Sequence, residues 1–458
     1  MKGINFYTEV AIWPALLLFL GIWKGFGYSS VMYYATIMGI DPTFYEAATV
    51  DGASKWQRIR HITIPQLSSL ITVLTILAIG NIFRADFGLF YQIPHNSGAL
   101  YSVTNVIDVY VYNGLAKSGD IAMAAAAGLY QSVVGLIRMQ HSSRKEDTMA
   151  KSKIKKEKVD NVGIHSFSKK ADLFFSSIVG LVALSCILPF IFVVMISLTD
   201  EQSLAIHGFQ FWPAKFGADG YLFLVQFKDK ILQALFITLF VTIVGTACNV
   251  FITTTYAYAI SRRTFKYRNF FTVFALLSML FSAGMVPGYI VTTQLLHLGD
   301  TVGALIIPML LSPFNIILMR TFFKRTIPEA ILESARIDGA SETRIFFQIC
   351  LPLSLPGIAT ISLFTALGFW NDWFNALLYI KSENLYPLQY LLMQIQNNMD
   401  YISKSVGASS QIAGAVQSLP KETGRMAMVV VATVPIAILY PFFQRYFVKG
   451  LTIGGVKE

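Results

Sequence analysis

The sequence predicts an all-α protein, a bundle of helices that crosses a membrane many times. Hydrophobic residues make up 54% of the 458-residue chain and charged residues only 14%, which is more apolar surface than one soluble core can bury. The apolar residues are gathered in runs of roughly 20, the length with which a helix crosses the hydrocarbon layer. The alternating ten-residue strands of a membrane barrel are absent. The excess apolar surface is therefore expected to face lipid.

Nine apolar runs are predicted as membrane spans, three before a hydrophilic stretch and six after it. They lie near residues 10–38, 62–83, 121–137, 173–198, 231–259, 268–291, 302–322, 354–379 and 426–447. The hydrophilic stretch from Arg138 to Lys170 is rich in lysine and is predicted as a cytoplasmic linker, because it cannot be buried. The chain thus divides into a truncated first unit (1–138), a basic linker (139–170) and a second unit of six spans (171–458).

The basic residues between the spans agree on one orientation. Counting spans from a cytoplasmic linker places three basic clusters in the cytoplasm, as the positive-inside rule requires. Residues 199–230 and 380–425 are then predicted on the outer side. We therefore expect a multi-pass protein of the cell membrane, surrounded by lipid. The clusters are Lys55, Arg58 and Arg60; Arg262, Arg263, Lys266 and Arg268; and Lys324, Arg325, Arg336 and Arg344.

One segment occurs twice in otherwise divergent halves of the chain. The first copy, EAATVDGASKWQRIRHITIP, runs from Glu46 to Pro65, and the second, ESARIDGASETRIFFQICLP, runs from Glu333 to Pro352. Eight of the twenty positions are identical without a gap, where ordinary residue usage predicts roughly one. Both copies fall in a short cytoplasmic loop between two spans. Position therefore repeats together with sequence.

Each copy is predicted to form a short helix, a sharp turn and the start of the next span. The glutamate complements the positive helix end, the alanines permit close approach by a partner, and the glycine ends the helix. The aspartate is expected to cap the helix that follows. The residues predicted to form a contact surface are Glu46, Ala47, Ala48, Asp51, Gly52 and Ala53 in the first copy and Glu333, Ala335, Asp338, Gly339 and Ala340 in the second.

A single copy of this segment would be interpreted as an amphipathic connector lying in the membrane interface. Two copies at the same place in two units favour a different interpretation. They indicate paired docking sites for a symmetric cytoplasmic partner.

At these residues the sequence resembles the permeases of binding-protein-dependent ATP-binding-cassette importers. The cytoplasmic loop of that family carries a Glu-Ala-Ala motif, a glycine four residues on, and later an isoleucine and Leu-Pro. Leu367–Tyr379 (LGFWNDWFNALLY) and the ending FQRYFVKGLTIGGVKE from Phe443 resemble its carbohydrate branch. Ser334 and Ile64 are mild departures. The matching positions are Glu46, Ala47, Ala48, Gly52, Ile62 and Pro65, and Glu333, Ala335, Gly339, Ile349, Leu351 and Pro352.

The resemblance implies a MetI-like helical fold and a role in the ATP-driven import of sugars or oligosaccharides. It also implies two kinds of partner, a cytoplasmic ATP-binding-cassette ATPase dimer docked on the loops and an extracellular solute-binding protein. The second unit resembles a complete permease and the first only the last three spans of another. A separate full-length permease is a further expected partner if the first unit cannot form half a channel. Met149 begins a segment resembling a permease start, so two joined reading frames are a hypothesis beside a genuine fusion.

The chain lacks the motifs of most other functions. No GxxxxGK[ST] phosphate loop, HExxH or GxSxG is present, so we expect no ATPase, protease or hydrolase activity and no cofactor. Cys186, Cys248 and Cys350 stand singly, which predicts neither a disulfide nor a metal site. The net charge of +10 is assigned to cytoplasmic loops and does not indicate nucleic-acid binding.

A group of aromatic and polar residues follows the second copy and is a candidate substrate path. Trp370, Asn371, Asp372 and Asn375 combine a ring face for stacking on sugars with partners for hydroxyl groups. The alternative is that the tryptophan only anchors or packs the helix.

Two other classes of membrane protein are weighed against the importer. A carrier driven by an ion gradient is the main alternative, but it requires charges near the membrane midplane and no soluble partner. A membrane-embedded enzyme requires clustered acids or a metal site at one membrane face. The sequence shows neither set of charges, and it does not identify the solute.

Overall fold

The computed structural model of the protein describes residues 7, 9–38, 40, 42–80, 85–115, 123–128, 130–131, 169–280, 284–406 and 420–452. Helices account for nearly all regular structure in these residues, and the one β-bridge pairs Thr199 with Phe216. The all-α prediction is confirmed. The predicted linker lies outside the described residues apart from its last two, and so do Met149 and most of the span predicted at 121–137.

The N-terminal segment, residues 7–131, is built on two long apolar helices. The helix Trp13–Met38 packs against the helices Ile64–Gly80 and Phe87–Gln92. The buried core of this segment is formed by Trp13, Leu17, Leu89 and Leu100. A π-helical turn over Ile59–Thr63 joins the helix Lys55–Arg58 to the helix Ile64–Gly80. The helices are α1 (Trp13–Met38), α2 (Pro42–Val50), α3 (Lys55–Arg58), α4 (Ile64–Gly80), α5 (Phe87–Gln92), α6 (Tyr101–Thr104) and α7 (Ile107–Asn113).

The C-terminal segment, residues 169–452, holds the larger part of the bundle. Val291–Leu295 and Phe346–Cys350 are π-helical turns, and Ile307–Met309 is a 3-10 turn. Its helices are α8 (Lys169–Ser197), α9 (Glu201–His207), α10 (Asp219–Val225), α11 (Lys228–Ser261), α12 (Arg268–Leu280), α13 (Met285–Ile290), α14 (Val302–Ile306), α15 (Pro313–Thr326), α16 (Glu329–Ile337), α17 (Glu342–Ile345), α18 (Leu351–Leu353), α19 (Leu355–Trp370), α20 (Phe374–Tyr379), α21 (Leu388–Val406) and α22 (Lys421–Thr452).

The 34-residue helix α11 is the centre of this segment and packs against α12, α15, α19 and α21. Gly245 lets α19 approach closely, because a Cβ there would lie 2.6 Å from the ring of Phe369. The side chain of Asn249 donates to the carbonyls of Met309 (3.0 Å) and Leu310 (2.9 Å). These carbonyls lie at the break before α15, where helical hydrogen bonds are missing. The amide therefore holds a broken span against an unbroken one.

Fewer spans are evident than the nine predicted. Three described helices are long and apolar enough to cross a membrane: Val10–Gly27, Lys228–Ser261 and Lys421–Leu439. Two bent pairs raise this number to five if each pair is one span, with bends of 49° and 79°. The predicted number therefore stays a prediction.

The prediction of one continuous span over 354–379 is wrong. Helix α19 ends at Trp370, and α20 begins anew at Phe374. The carboxylate of Asp372 accepts from the N–H of Asn375 at 3.1 Å, which caps the new helix. The aspartate side chain competes with the helix by bonding to a nearby backbone N–H, which favours this cap over continued helix.

Candidate functional site

The first copy of the repeat ends helix α2 with a glycine in left-handed conformation. Gly52 has φ of +74°, and its N–H donates to the carbonyl of Thr49 at 3.1 Å. The N–H of Ala53 donates to the carbonyl of Ala48 at 2.8 Å. This is the Schellman pattern, which satisfies the last carbonyls of a helix and favours glycine at the turn.

The second copy ends helix α16 in the same way. Gly339 has φ of +77° and donates to the carbonyl of Arg336 at 3.0 Å. Ala340 donates to the carbonyl of Ala335 at 2.9 Å. Both predicted glycine turns therefore exist, with the same pair of hydrogen bonds. The two loops share a backbone geometry as well as a sequence.

Serine, and not aspartate, caps the helix that follows each turn. Ser54 accepts from the N–H of Gln57 (3.3 Å), whose side chain accepts from the N–H of Ser54 (2.8 Å), a complete capping box. Ser341 caps α17 at the matching position. The prediction that Asp51 and Asp338 cap these helices is wrong. The glycine turn occupies the positions after each aspartate, so the first free cap position falls on the serine.

An apolar side chain projects from the end of the first helix of each copy, α2 or α16. Val50 is 88% exposed and Ile337 is 86% exposed, and the two occupy matching positions in the repeat. Glu46 and Glu333 are also exposed on the same helices. Isolated branched side chains at such exposure are poorly stabilised by their own chain. Each helix therefore presents an apolar knob with an acidic residue one turn before it.

The inner side of the second loop is packed into the bundle. Leu332 and Ile345 are fully buried and lie in one core cluster with Met319 and Phe323 of α15. Cys350, at the end of the loop, is fully buried in the same cluster. Burial of this kind fixes the orientation of α16 relative to the long helices.

A polar network ties the same loop to α11. The hydroxyl of Tyr258 donates to Glu342 at 2.7 Å, and the guanidinium of Arg336 donates to the other carboxylate oxygen at 2.8 Å. The guanidinium of Arg262 lies 5.0 Å from the centre of the Tyr258 ring. These contacts join α16 and α17 to the end of α11.

Among the described residues, polar side-chain contacts hold the inner side of the first loop. Arg58 donates to the hydroxyl of Thr49 at 2.8 Å, and the hydroxyls of Tyr45 and Thr63 lie 2.9 Å apart. The ring of Trp56 is more than half exposed. The first loop has the same outer surface as the second but a less buried inner one.

A cavity of about 610 Å³ lies between the N-terminal and C-terminal segments. Two aromatic rings and five side-chain amides face it, together with one guanidinium. The lining residues are Tyr91, Gln92, Ile93, His95 and Asn96 from the N-terminal segment and Trp373, Gln389, Leu392, Met393, Gln396, Asn397, Arg425, Met428, Val429 and Ala432 from the C-terminal segment.

Aromatic rings join the two segments beside this cavity. Phe87 stacks on Tyr91 (ring centres 4.9 Å apart) and on Trp373 (5.9 Å). The side-chain amide of Gln92 contacts the sulfur of Met393 at 3.4 Å. The cavity wall is thus continuous across residues about 300 positions apart in the chain.

Charged groups gather at one edge of the cavity around Asp400. Arg425 donates to this carboxylate at 3.0 Å, Lys421 lies 3.8 Å from it, and His95 of the N-terminal segment lies 4.0 Å from it. Arg425 also lies 3.4 Å from Glu422. The charge of Arg425 is therefore shared with two carboxylates, which do not themselves line the cavity.

The four residues predicted for a substrate path lie beside the cavity and do not line it. Trp370 is 2% exposed, and its indole N–H donates to the carbonyl of Ala432 at 3.1 Å. Asp372 accepts from both the backbone N–H and the side-chain amide of Asn375. The side-chain oxygen Oδ1 of Asn371 accepts from the side-chain amide of Gln389, which does line the cavity, at 3.5 Å. The role of these four residues in a substrate path stays a prediction.

The sequence analysis does not identify the cavity-lining residues of α21, although their spacing carries a periodic signal. Gln389, Met393, Gln396 and Asn397 are spaced by four, three and one residues, which places them on one helix face. The opposite apolar face packs into the core through Leu388, Leu391 and Ile395. The stretch was predicted as part of a polar external segment because its average hydropathy hides this amphipathic pattern.

The family model described as "binding-protein-dependent transport system inner membrane component" matches residues 4–139 and 252–453. The chain belongs to this family. It is therefore a membrane permease component of an ATP-binding-cassette importer, as the repeated loop predicted. The family membership does not favour the alternative of an ion-driven carrier.

Curated relatives of the permease share a large part of its sequence. "Protein LplC" of Bacillus subtilis is 42% identical over 272 residues, which are 59% of this chain and 89% of that protein. The "polygalacturonan/rhamnogalacturonan transport system permease protein YtcP" of the same organism is 38% identical over 62% of this chain and 98% of the relative. The "polygalacturonan/rhamnogalacturonan transport system permease protein YteP" of that organism is 34% identical over 143 residues, which are 31% of this chain and 44% of the relative.

A solved structure shows the same fold. A chain in the crystal structure of "a bacterial ABC transporter involved in the import of the acidic polysaccharide alginate" matches with a TM-score of 0.53 and 27% identity. The match covers 61% of the permease and 99% of that chain. The MetI-like helical fold implied by the sequence resemblance is confirmed.

Proposed function

We propose that the permease is a multi-pass protein of the cell membrane that admits oligosaccharides, driven by a separate cytoplasmic ATPase dimer and supplied by an extracellular solute-binding protein. The observation that supports the ATPase contact is the pair of loops with one turn geometry and one exposed apolar knob each. Two equal surfaces suit a partner that is itself a dimer. In this proposal the chain has no catalytic activity of its own.

The residues proposed to touch the ATPase are the outer residues of the two loops, as predicted. Gly52 and Gly339 fix the direction of the chain after each docking helix, and Val50 and Ile337 supply apolar area. The contact through Glu342 gives the second loop a direct path to α11. Closure of an ATPase dimer would then move packed helices as rigid bodies.

The chemistry of the cavity supports a sugar as solute. The faces of Tyr91 and Trp373 suit stacking on sugar rings, and Gln92, Gln396 and Asn397 present donors and acceptors for hydroxyl groups. A volume of about 610 Å³ lies within the usual range for small-molecule sites. Relatives are named for polygalacturonan or rhamnogalacturonan and for arabinooligosaccharides, which supports an oligosaccharide.

The four predicted path residues fit this proposal as supports of the cavity wall. Asn371 would orient Gln389, and Trp370 would hold α22 at its position beside Ala432. Asp372 and Asn375 would fix the start of α20, which follows the cavity residue Trp373.

We also propose that the chain consists of two permease units joined by a basic linker, with boundaries at 1–138, 139–170 and 171–458. Support comes from the family match in two stretches and from one docking loop in each. A second, full-length permease is proposed as a further partner, since the chain spans 44% of YteP and 42% of LplB.

Capture of the ATPase tests the docking proposal. The full chain is purified in detergent together with an ATP-binding-cassette ATPase of the same organism, as parent, Val50→Asp, Ile337→Asp and the double variant. Loss of one buried branched side chain should weaken binding roughly 10- to 100-fold. Tyr401→Asp is the control, because Tyr401 is also a large exposed side chain (72%) but lies on α21, away from both loops. Equal ATPase capture by the double variant and the control would refute the docking proposal.

Uptake by vesicles that contain the complete importer tests the cavity. Trp373→Ala and Gln396→Ala should lower the uptake of oligosaccharide while ATPase capture stays unchanged. Tyr401→Ala again serves as control. Unchanged uptake in both cavity variants would refute the cavity as solute path and leave the docking proposal intact.

A further inference from the structure

An exposed apolar segment follows the end of α8. Its large side chains are Ile206, Phe209, Phe211, Trp212 and Phe216, all exposed, with Ile206 at 76% and Trp212 at 70%. Soluble surfaces rarely gather so many large apolar groups within eleven residues. The sequence places this segment in an external region expected to face water.

The backbone of this segment is fastened to the end of α8. The N–H of Asp200 donates to the carbonyl of Lys215 at 3.0 Å, and the N–H of Gly217 donates to the carbonyl of Leu198 at 2.9 Å. Gly217 permits this approach, because a Cβ there would lie 2.7 Å from the Cα of Asp200. The segment is therefore held at the height of the helix end.

One aromatic contact shows how deep the segment reaches. The ring of Phe211 stacks on that of Phe192, with centres 5.9 Å apart and planes 15° apart. Phe192 lies five residues before the last residue of α8, Ser197, which corresponds to about 7.5 Å along the helix axis. Phe211 is thus level with the interior of the predicted span.

The neighbouring surface of α8 is apolar and exposed. Leu184, Leu188 and Ile191 form a stripe at helical spacing, and all three are exposed. In a membrane protein such a stripe faces acyl chains, and the exposed apolar segment continues it at the end of the helix.

The polar groups of the segment lie on its fastened side. Lys215 pairs with Asp200 at 3.1 Å, and Asp200 also accepts from the N–H of Ser203 at 2.9 Å. These hydrogen bonds, from Ser203 and then Lys215, hold the pKa of the Asp200 carboxyl below its usual value, so the pair stays charged. A charged pair above a row of aromatic rings is the arrangement expected at the boundary of headgroups and acyl chains.

We propose that residues 206–216 bind the lipid surface at the end of α8, with Phe209, Phe211 and Trp212 inserted at the boundary of headgroups and acyl chains. In the predicted orientation this is the outer leaflet. The depth of Phe211 and the continuity with the apolar stripe favour lipid over a docked protein. The segment then acts as an anchor that fixes the height of α8 in the bilayer.

Fluorescence quenching in vesicles tests this inference on the full chain. Cys186, Cys248 and Cys350 are replaced by serine or alanine, and a bimane label is placed at Trp212→Cys or, as a second site, Phe209→Cys. The protein is reconstituted into phosphatidylcholine and phosphatidylglycerol, with brominated acyl chains as the lipid quencher and iodide as the aqueous one. Leu184→Cys is the matched lipid-facing control and Gln202→Cys, exposed on α9, the water-facing one.

Labels at 212 and 209 should lose fluorescence to brominated lipid as the label at 184 does, and resist iodide. Quenching by iodide alone, as at 202, would show the segment in water and overturn the inference. Protection from both quenchers would show that protein covers the segment, which also overturns it.

Discussion

Replacing Gly339 by alanine isolates the contribution of one backbone angle to ATPase binding. Gly339 has φ of +77°, and a Cβ at this position would meet no atom within 4 Å. The whole effect must therefore come from the left-handed conformation, which costs an L-residue about 1–2 kcal/mol. If the unbound loop of the variant relaxes to another conformation, the population of the docking geometry falls by the factor that corresponds to this energy. ATPase affinity should then fall about 5- to 30-fold.

The assay is a binding titration of the purified ATPase against detergent-solubilised permease. Gly339→Asn is the informative control, because asparagine adopts the left-handed region more readily than alanine and should retain most of the affinity. Gly180→Ala tests a glycine inside α8 where a Cβ also meets no atom, and its affinity should not change. Equal affinity of Gly339→Ala and the parent would refute the reasoning, as would an equal loss in the alanine and asparagine variants.

Three further predictions concern thermal unfolding of the permease in detergent. Gly245→Ala should destabilise by about 1–3 kcal/mol, because its Cβ would lie 2.6 Å from the ring of Phe369. Leu332→Ala should destabilise by about 2–5 kcal/mol, because Leu332 is fully buried between the second loop and the bundle. Asp300→Asn should lower the midpoint at neutral pH, because it removes the negative charge that strengthens the hydrogen bonds from the N–H groups of Lys381 (2.9 Å) and Ser382 (2.8 Å) and from the Ser382 hydroxyl (2.6 Å).

Each of these has a control that separates it from a general loss of stability. For Gly245→Ala, a second substitution of Phe369 by leucine should recover part of the loss. For Leu332→Ala, ATPase affinity should fall with stability, whereas Ile337→Ala should lower affinity alone. Hydrogen bonds from Ser382 and Lys381 lower the pKa of Asp300 below 3.8, so its contribution is present above that pH and is lost as the pH falls through the lowered pKa. A parent-to-variant difference that persists well below this pKa would contradict that assignment.

The docking loops could be predicted because their geometry depends on local chemistry. A glycine after a short amphipathic helix predicts a left-handed turn, and both glycines have φ near +75°. The position of the next cap could not be predicted as reliably. It depends on how many residues the turn occupies, and that number places Ser54 and Ser341 at the cap and leaves the aspartates in the preceding turn.

The cavity could not be predicted from local patterns. Its walls meet across the chain, with Gln92 beside Met393 and Phe87 beside Trp373. Periodicity indicates which face of a helix is apolar, but it does not indicate which distant helix covers that face. For the same reason the sequence does not decide between packing and substrate contact for Trp370, since its hydrogen-bond partner Ala432 lies 62 residues away.

The identical positions of the two loops are unevenly distributed along the repeat. Six of its eight identical positions lie in the outer helix, the glycine turn and the serine cap, where the two copies have the same geometry, and the other two are Ile62 and Pro65 of the first copy. The inner positions differ, with Ile345 fully buried where the first copy has the partly exposed Arg58. Identity is thus concentrated in the first helix, its glycine turn and the serine cap, although Ala335 and Ala340 of this stretch also pack against the buried cluster. Because a symmetric ATPase would require two equal outer surfaces and would not touch the inner ones, this pattern is what docking predicts and what a simple interfacial connector does not.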